Sequence, residues 1–180
     1  MKTGLHLKNK AGGGCMFQIG DEISYTNKGI FQVKEIINKR NRKREVESWY
    51  VLHSINNDVE TSITTPVTNP NLRLMMSKED ILQLIEDMPT LETVWSDDRH
   101  VREDRFEKML NSGDIRQWAT MSKTIYEMKK QKEINKKNIS ERDKFFFDRG
   151  ENLLFDEISL CLHIKRDDVH DFIYSKHPVS

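Results

Sequence analysis

Residues 38–45 read NKRNRKRE and set five cations, Lys39, Arg40, Arg42, Lys43 and Arg44, within eight positions. The chain as a whole carries 29 Lys+Arg against 29 Asp+Glu, so this cluster is a local concentration in a neutral molecule. Guanidinium groups pair with carboxylates or phosphates through parallel hydrogen bonds, whereas an ammonium acts as a point charge. Such a run suits an acidic protein surface, a nucleic-acid backbone or a solvated turn. A second series, Arg99, Arg102 and Arg105, recurs every three residues. It could line a helix edge toward phosphate, or pair within the helix with Asp98, Glu103 and Asp104. A third, Lys129, Lys130, Lys132, Lys136 and Lys137, reads either as a DNA-facing segment or as the solvated, dipole-favoured end of a helix.

Patterns for covalent chemistry are sparse. His163, Asp167, His170, Asp171 and His177 gather near the C-terminus, where metal ligation competes with plain exposure on a terminal helix. They give no complete ligand set. The sequence has no G-x-x-x-x-G-K-[ST] loop, nucleophile elbow, kinase pattern or zinc-deaminase pattern, so the expectation is a protein that is not an enzyme and needs no cofactor or metal.

These side chains need a scaffold, and 180 residues suffice for two small domains. Charged residues make up 32% and hydrophobic ones 36%, a polar mixture in which helices must share their apolar faces to form a core. No segment reaches the roughly 20 apolar residues of a membrane span, and the leader lacks the apolar block of a secretory signal, so a cytoplasmic protein without membrane association is expected. Cys15 and Cys161 stand in unrelated contexts, which points to neither a disulfide nor a zinc site. Residues 1–76 carry 11 Lys+Arg and 7 Asp+Glu, residues 77–180 carry 18 and 22, and the halves therefore hold +4 and −4. A neutral chain grips nucleic acid poorly by counterion release alone, so DNA contact would be local and assisted by a partner.

Residues 1–15, with Gly12, Gly13 and Gly14, read as a disordered leader or tag. Residues 16–76 carry strand signals. FQIGDEISYT alternates apolar and polar positions, IFQVKEII and SWYVLHSI flank the basic cluster as two arms of a hairpin, and Pro66 marks a strand end or an edge. Four or five short strands in that space predict a small twisted barrel. Trp49 and Tyr50 should then point to opposite faces.

Composition changes at Ser77. SKED supplies a helix cap, Pro89 closes a short helix, Ser96 can cap the next, and Ser112-Gly113-Asp114 reads as a tight helical hairpin. Ile115, Trp118, Ala119, Ser122, Ile125 and Tyr126 repeat as one buried helix face, which makes Trp118 a core residue. Ser140 with Asp143 starts a long helix, and Asp167 or Asp168 a last short one. The expected architecture is α+β: a small Tudor/SH3-like β-barrel followed by an all-α bundle of about five helices over residues 77–180.

The residues MFQIGDEISYTNKGIFQV, and later the LNSGD hairpin followed by a helix and SERDK, resemble CarD/CdnL-type bacterial transcription regulators over about Met16 to Ile173. The first half is also similar to the polymerase-interacting domain of transcription-repair coupling factors, whose helicase motors this chain lacks. The resemblance implies a regulator whose Tudor-like domain binds the RNA polymerase β subunit and whose helical domain contacts promoter DNA at the upstream edge of the melted bubble; a monomer is expected.

On that resemblance Lys39, Arg40 and Arg42 contact the β subunit. Thr64 occupies the strand position where some relatives carry a second polymerase-contacting arginine. Trp95, followed by Ser96 as in the family's motif, matches the tryptophan that wedges into the minor groove, although Asp97 and Asp98 stand where a basic pair can follow. Arg99, Arg102, Arg105, Lys129 and Lys130, from their spacing and charge, are the candidate DNA contacts beside it. As a large aromatic, Trp95 is equally readable as an anchor for the linker between modules. Two other functions stay open: a polymerase-bound adaptor that recruits another protein without functional DNA contact, and a stand-alone RNA-binding Tudor/SH3-like protein.

Overall fold

The computed structural model describes residues 17–55 and 61–176. The expected leader at 1–15, Cys15 and His177 lie outside the described residues. Five strands come first, β1 (Glu22–Tyr25), β2 (Gly29–Arg40), β3 (Val46–Ser54), β4 (Ser62–Pro66) and β5 (Leu72–Leu74). Five helices come next: α1 (Lys78–Asp87), α2 (Arg99–Asn111), α3 (Ile115–Ile134), α4 (Glu141–Leu162) and α5 (Val169–Lys176). The α+β architecture is as expected, a sheet module and then a helical module.

The strands form one antiparallel sheet in the order β4-β3-β2-β1-β5. It is barrel-like and not closed: β4 and β5 remain its two edges. Asn69, between them in the chain, bridges β4 to β1: its Nδ2 donates to Tyr25 Oη at 3.0 Å and to Thr65 Oγ1 at 2.7 Å. Phe17, Ile23, Phe31, Val33, Tyr50, Leu52 and Leu72 fill the concave core. Pro66, unable to donate to a ladder, ends the edge strand β4.

Register decides what the other face presents. β2 and β3 pair from Phe31↔Ser54 to Arg40↔Val46, with a bulge between Val33 and Glu35. An extra residue shifts parity, so every side chain after it changes face. Phe31 and Val33 point inward before the bulge, and Ile36, opposite Tyr50, packs on the same core after it. Ile37 and Lys39 therefore join Trp49 and Val51 on the outer face.

The helices start where short side chains can cap them. Ser77 Oγ accepts from Asp80 N, Asp114 from Arg116 N and Ser140 Oγ from Asp143 N. For α2 the cap is Asp98, not Ser96. Asp98 Oδ1 accepts from His100 N (2.9 Å) and Val101 N (3.2 Å), while the Ser96 carbonyl is engaged by Arg102. Gly113 turns α2 into α3 at φ 73°, a left-handed conformation that favours glycine. Trp118 is fully buried among Ile81, Phe106, Ile125 and Leu154, in the centre of the bundle.

One outer end of the sheet is covered by the bundle. Ser24 and its cross-strand neighbour Ile30 are buried there, and Arg73 of β5 reaches α4. Its Nη1 and Nη2 donate to Glu157 Oε1 and Oε2 at 2.7 Å each, and its Nε donates to the Gly113 carbonyl. Glu157 is fully buried and also accepts from Met76 N at 3.0 Å. Arg149 donates to the Asn27 carbonyl and Asn27 Nδ2 to Asn111 Oδ1, which fastens the turn after β1 to the bundle.

Candidate functional site

The hairpin tip is organised by one residue, Asn41. Its Oδ1 accepts from Lys43 N (2.9 Å) and Glu45 N (3.0 Å), and its Nδ2 donates to Glu45 Oε2 and Glu47 Oε1. Asn is suited to this because its short side chain can stand in for a turn's backbone groups. Arg44 takes the left-handed conformation at φ 65°. With the acids drawn into the turn, Lys39, Arg40, Arg42, Lys43 and Arg44 are all exposed. Lys39 Nζ lies 4.6 Å from the centroid of the Trp49 ring, a cation-π contact that steadies both.

Thr64 belongs to the same surface. It is exposed on β4 opposite Val51, on the face shared by Ile37, Trp49 and Lys39. The outer face of β2-β3-β4 is thus a partly apolar strip, half-buried at Trp49 and Val51, with cations at its tip and, among the described residues, the edge strand β4 beside it. Trp49 is the residue here that sequence reasoning did not single out as functional. Its pairing with Lys39 requires the bulge, which no local spacing signals.

Trp95 lies at the other candidate surface, half-buried before α2. Its ring packs tilted on Phe106 with centroids 6.3 Å apart, and its Nε1 donates to Asp97 Oδ1 at 3.2 Å. Two cations stand over the ring, Arg102 at 4.2 Å and Lys132 at 5.2 Å from the centroid. The segment around it is held by side chains of the bundle. Val94 N donates to Thr124 Oγ1 (3.1 Å), Arg105 Nη1 to Val94 O (2.6 Å), and Arg102 Nη1 to Ser96 O (2.7 Å).

The three arginines do not form one exposed edge. Arg99 is exposed and paired with Glu103 at 2.7 Å. Arg102 is buried, donating from Nε to Asp143 Oδ1 at 2.9 Å and from Nη2 to Oδ2 at 3.2 Å. Arg105 is exposed but committed to the Val94 carbonyl. Burial pushes the Asp143 carboxyl up, yet hydrogen bonds from Arg102 and Ser140 outweigh this and hold it below the usual carboxylate range.

Lys129 and Lys130 are exposed on the last turns of α3. Lys130 Nζ sits 4.6 Å over Tyr126, which accepts a 2.9 Å hydrogen bond from Tyr174 of α5. That bond and burial push the Tyr174 hydroxyl up to about 12. Lys130 and Lys132 are two positions apart, about 200° on a helix, so the two lysines face different neighbours. Lys132, beside Trp95, is the better placed of the tail lysines. His163 ends α4 in the left-handed conformation, and among the described residues no group of three or more His, Cys, Asp or Glu side chains could hold a metal ion. Nor is any described helix long and apolar enough to cross a membrane.

The fold is thus an antiparallel sheet fastened to a five-helix bundle, with a cationic hairpin on the one and a braced tryptophan on the other. A family model described as CarD, C-terminal domain, matches residues 81–174, just over half of the chain. The chain belongs to the CarD family, a non-enzymatic regulatory family, and is a CarD-like transcription regulator. A search of the curated proteins gave no match.

Proposed function

We propose that this regulator docks on the RNA polymerase β subunit through its hairpin tip and the outer face of β2-β3-β4, and that it alters the lifetime of the promoter open complex by placing Trp95 at the upstream edge of the bubble. The observation that carries the reading is the division of surfaces: an exposed cationic tip beside a partly apolar strip on one module, and a half-buried, braced indole on the other. Arg40 and Arg42 can pair bidentately with carboxylates, the Trp49 strip adds apolar area, and the β4 edge can accept a strand. An indole can replace lost base stacking where a duplex opens, while Lys132, 5.2 Å from the indole centroid, can meet a phosphate beside it. Each contact is weak alone. Docking first converts the second into an intramolecular event and raises its effective concentration, which suits a chain of zero net charge.

The test is binding of the full chain to an isolated β-subunit lobe fragment, with Lys39→Glu, Arg40→Glu and Arg42→Glu combined. The expected result is a loss of affinity of more than about tenfold, steeper at low salt, as for rim charges that steer an encounter. Unchanged affinity in dilute buffer overturns the docking reading. Asp97 and Asp98, which place negative charge beside Trp95, favour a second reading in which the bundle recruits another protein and touches no DNA. It predicts that Trp95→Ala leaves open-complex lifetime unaltered.

A further inference from the structure

We infer that Arg102 is a positioning residue for Trp95: paired with Asp143 inside the bundle, its guanidinium serves as the platform that fixes where the indole points. The inference rests on the role proposed for Trp95 and adds the device behind it. Four observations converge on it. Arg102 is 6% exposed, so it is not free to reach a phosphate. Both of its Asp143 bonds run in the guanidinium plane, which locks that plane to the start of α4. The remaining nitrogen Nη1 holds the Ser96 carbonyl, one residue beyond Trp95. Its Cζ lies over the indole ring, 4.2 Å from the centroid.

Asp143 is itself fixed, with zero exposure, by the Ser140 hydroxyl, which donates to Oδ2 at 2.7 Å. Rigid cap, carboxylate, guanidinium and indole thus form one chain from α4 to the Trp95 segment. A planar cation is required at its centre, because an ammonium cannot hold a carboxylate bidentately, cap a carbonyl and stack at once. The arrangement leaves the DNA-facing role to groups that remain exposed and gives Arg102 no direct one.

Removing Arg102 alone would strand a buried carboxylate and could unfold the protein, so the informative variant replaces the pair, Arg102→Met with Asp143→Leu, since apolar substitution of a buried ion pair commonly preserves stability. Arg102→Lys provides a second, charge-preserving variant. In protein labelled with 5-fluorotryptophan, the Trp95 line is assigned by its loss in Trp95→Phe. In both variants the Trp95 line should move or broaden while that of Trp118 stays in place. The effect on open-complex lifetime should be lost by about tenfold, the scale of one stacking contact, with affinity for the β fragment unchanged. Combined with Trp95→Ala, the pair replacement should add nothing further.

A Trp95 line that stays fixed in both variants overturns the inference. So does a parental open-complex lifetime in both variants when Trp95→Ala has abolished the effect. If Trp95→Ala itself changes nothing, the DNA reading falls, and the fluorine spectra still decide whether Arg102 orients the ring.

Discussion

At the scale of single residues, Asp143 shows how a buried charge is made tolerable and how its partners tie stability to pH. Its carboxylate has no exposure and is satisfied by Arg102, by Ser140 Oγ and by its own place in the first turn of α4. Because its folded pKa is depressed, the stability it contributes is present above the ordinary carboxylate value and is lost as pH falls through the folded one. Asp143→Asn should therefore cost about 3 kcal/mol at pH 7, from the buried guanidinium left without its counter-charge. The difference from the parent should narrow in acid, measured as urea midpoints at pH 7 and near pH 3. An Asn variant equally destabilised at both pH values would contradict this. The sequence made Arg102 visible only as one of three arginines at equal spacing. On a helix such spacing drifts by about 60° per step, so the three need not share a face, and the Asp143 partner lies 41 residues away where no local pattern reaches.

At the scale of elements, local chemistry was easy to read and long-range pairing was not. Caps at Ser77, Asp114 and Ser140, the Gly113 turn and the buried stripe of α3 arise from side chains that act on their immediate neighbours. The hairpin was legible for the same reason. β5 was not anticipated as a strand, since three residues carry too little periodicity. The expected small barrel is present as a barrel-like sheet, which no ladder between β4 and β5 closes; the Asn69 side chain instead bonds Thr65 of β4 and Tyr25 of β1.

The junction of β5 with α4 was also invisible, yet it binds the modules together through the Arg73 and Glu157 pair. Glu157→Ala leaves Arg73 without its buried partner and removes an acceptor from Met76 N. The expected cost is about 3 kcal/mol. The expected signature is separation of two thermal transitions, one tracked by helical circular dichroism and one by Trp49 fluorescence. A single transition at the parental temperature would show that the modules are held by something other than this pair.

At the scale of the whole molecule, the sheet's outer surface serves two purposes. One end, at Ser24 and Arg73, is sealed against the bundle, and the other, at Lys39, Trp49 and Thr64, stays open. Fastening at the sealed end means that a partner held at the open end sets the position of the bundle, and with it of Trp95. Residues 77–180 carry −4, so the bundle has no net attraction for DNA, and the proposed DNA contact depends on docking through the basic hairpin tip. The basic cluster was legible in the sequence, whereas the bulge that turns Lys39 and Trp49 to the same face was not.

The most direct measurement is the dissociation half-life of promoter open complexes at saturating protein, for the parent and for Trp95→Ala with equal affinity for the β fragment. The account expects the parent to change the half-life and Trp95→Ala to return it to the value without protein, a difference of about tenfold for one lost stacking contact. An identical effect from both proteins at equal occupancy would contradict it.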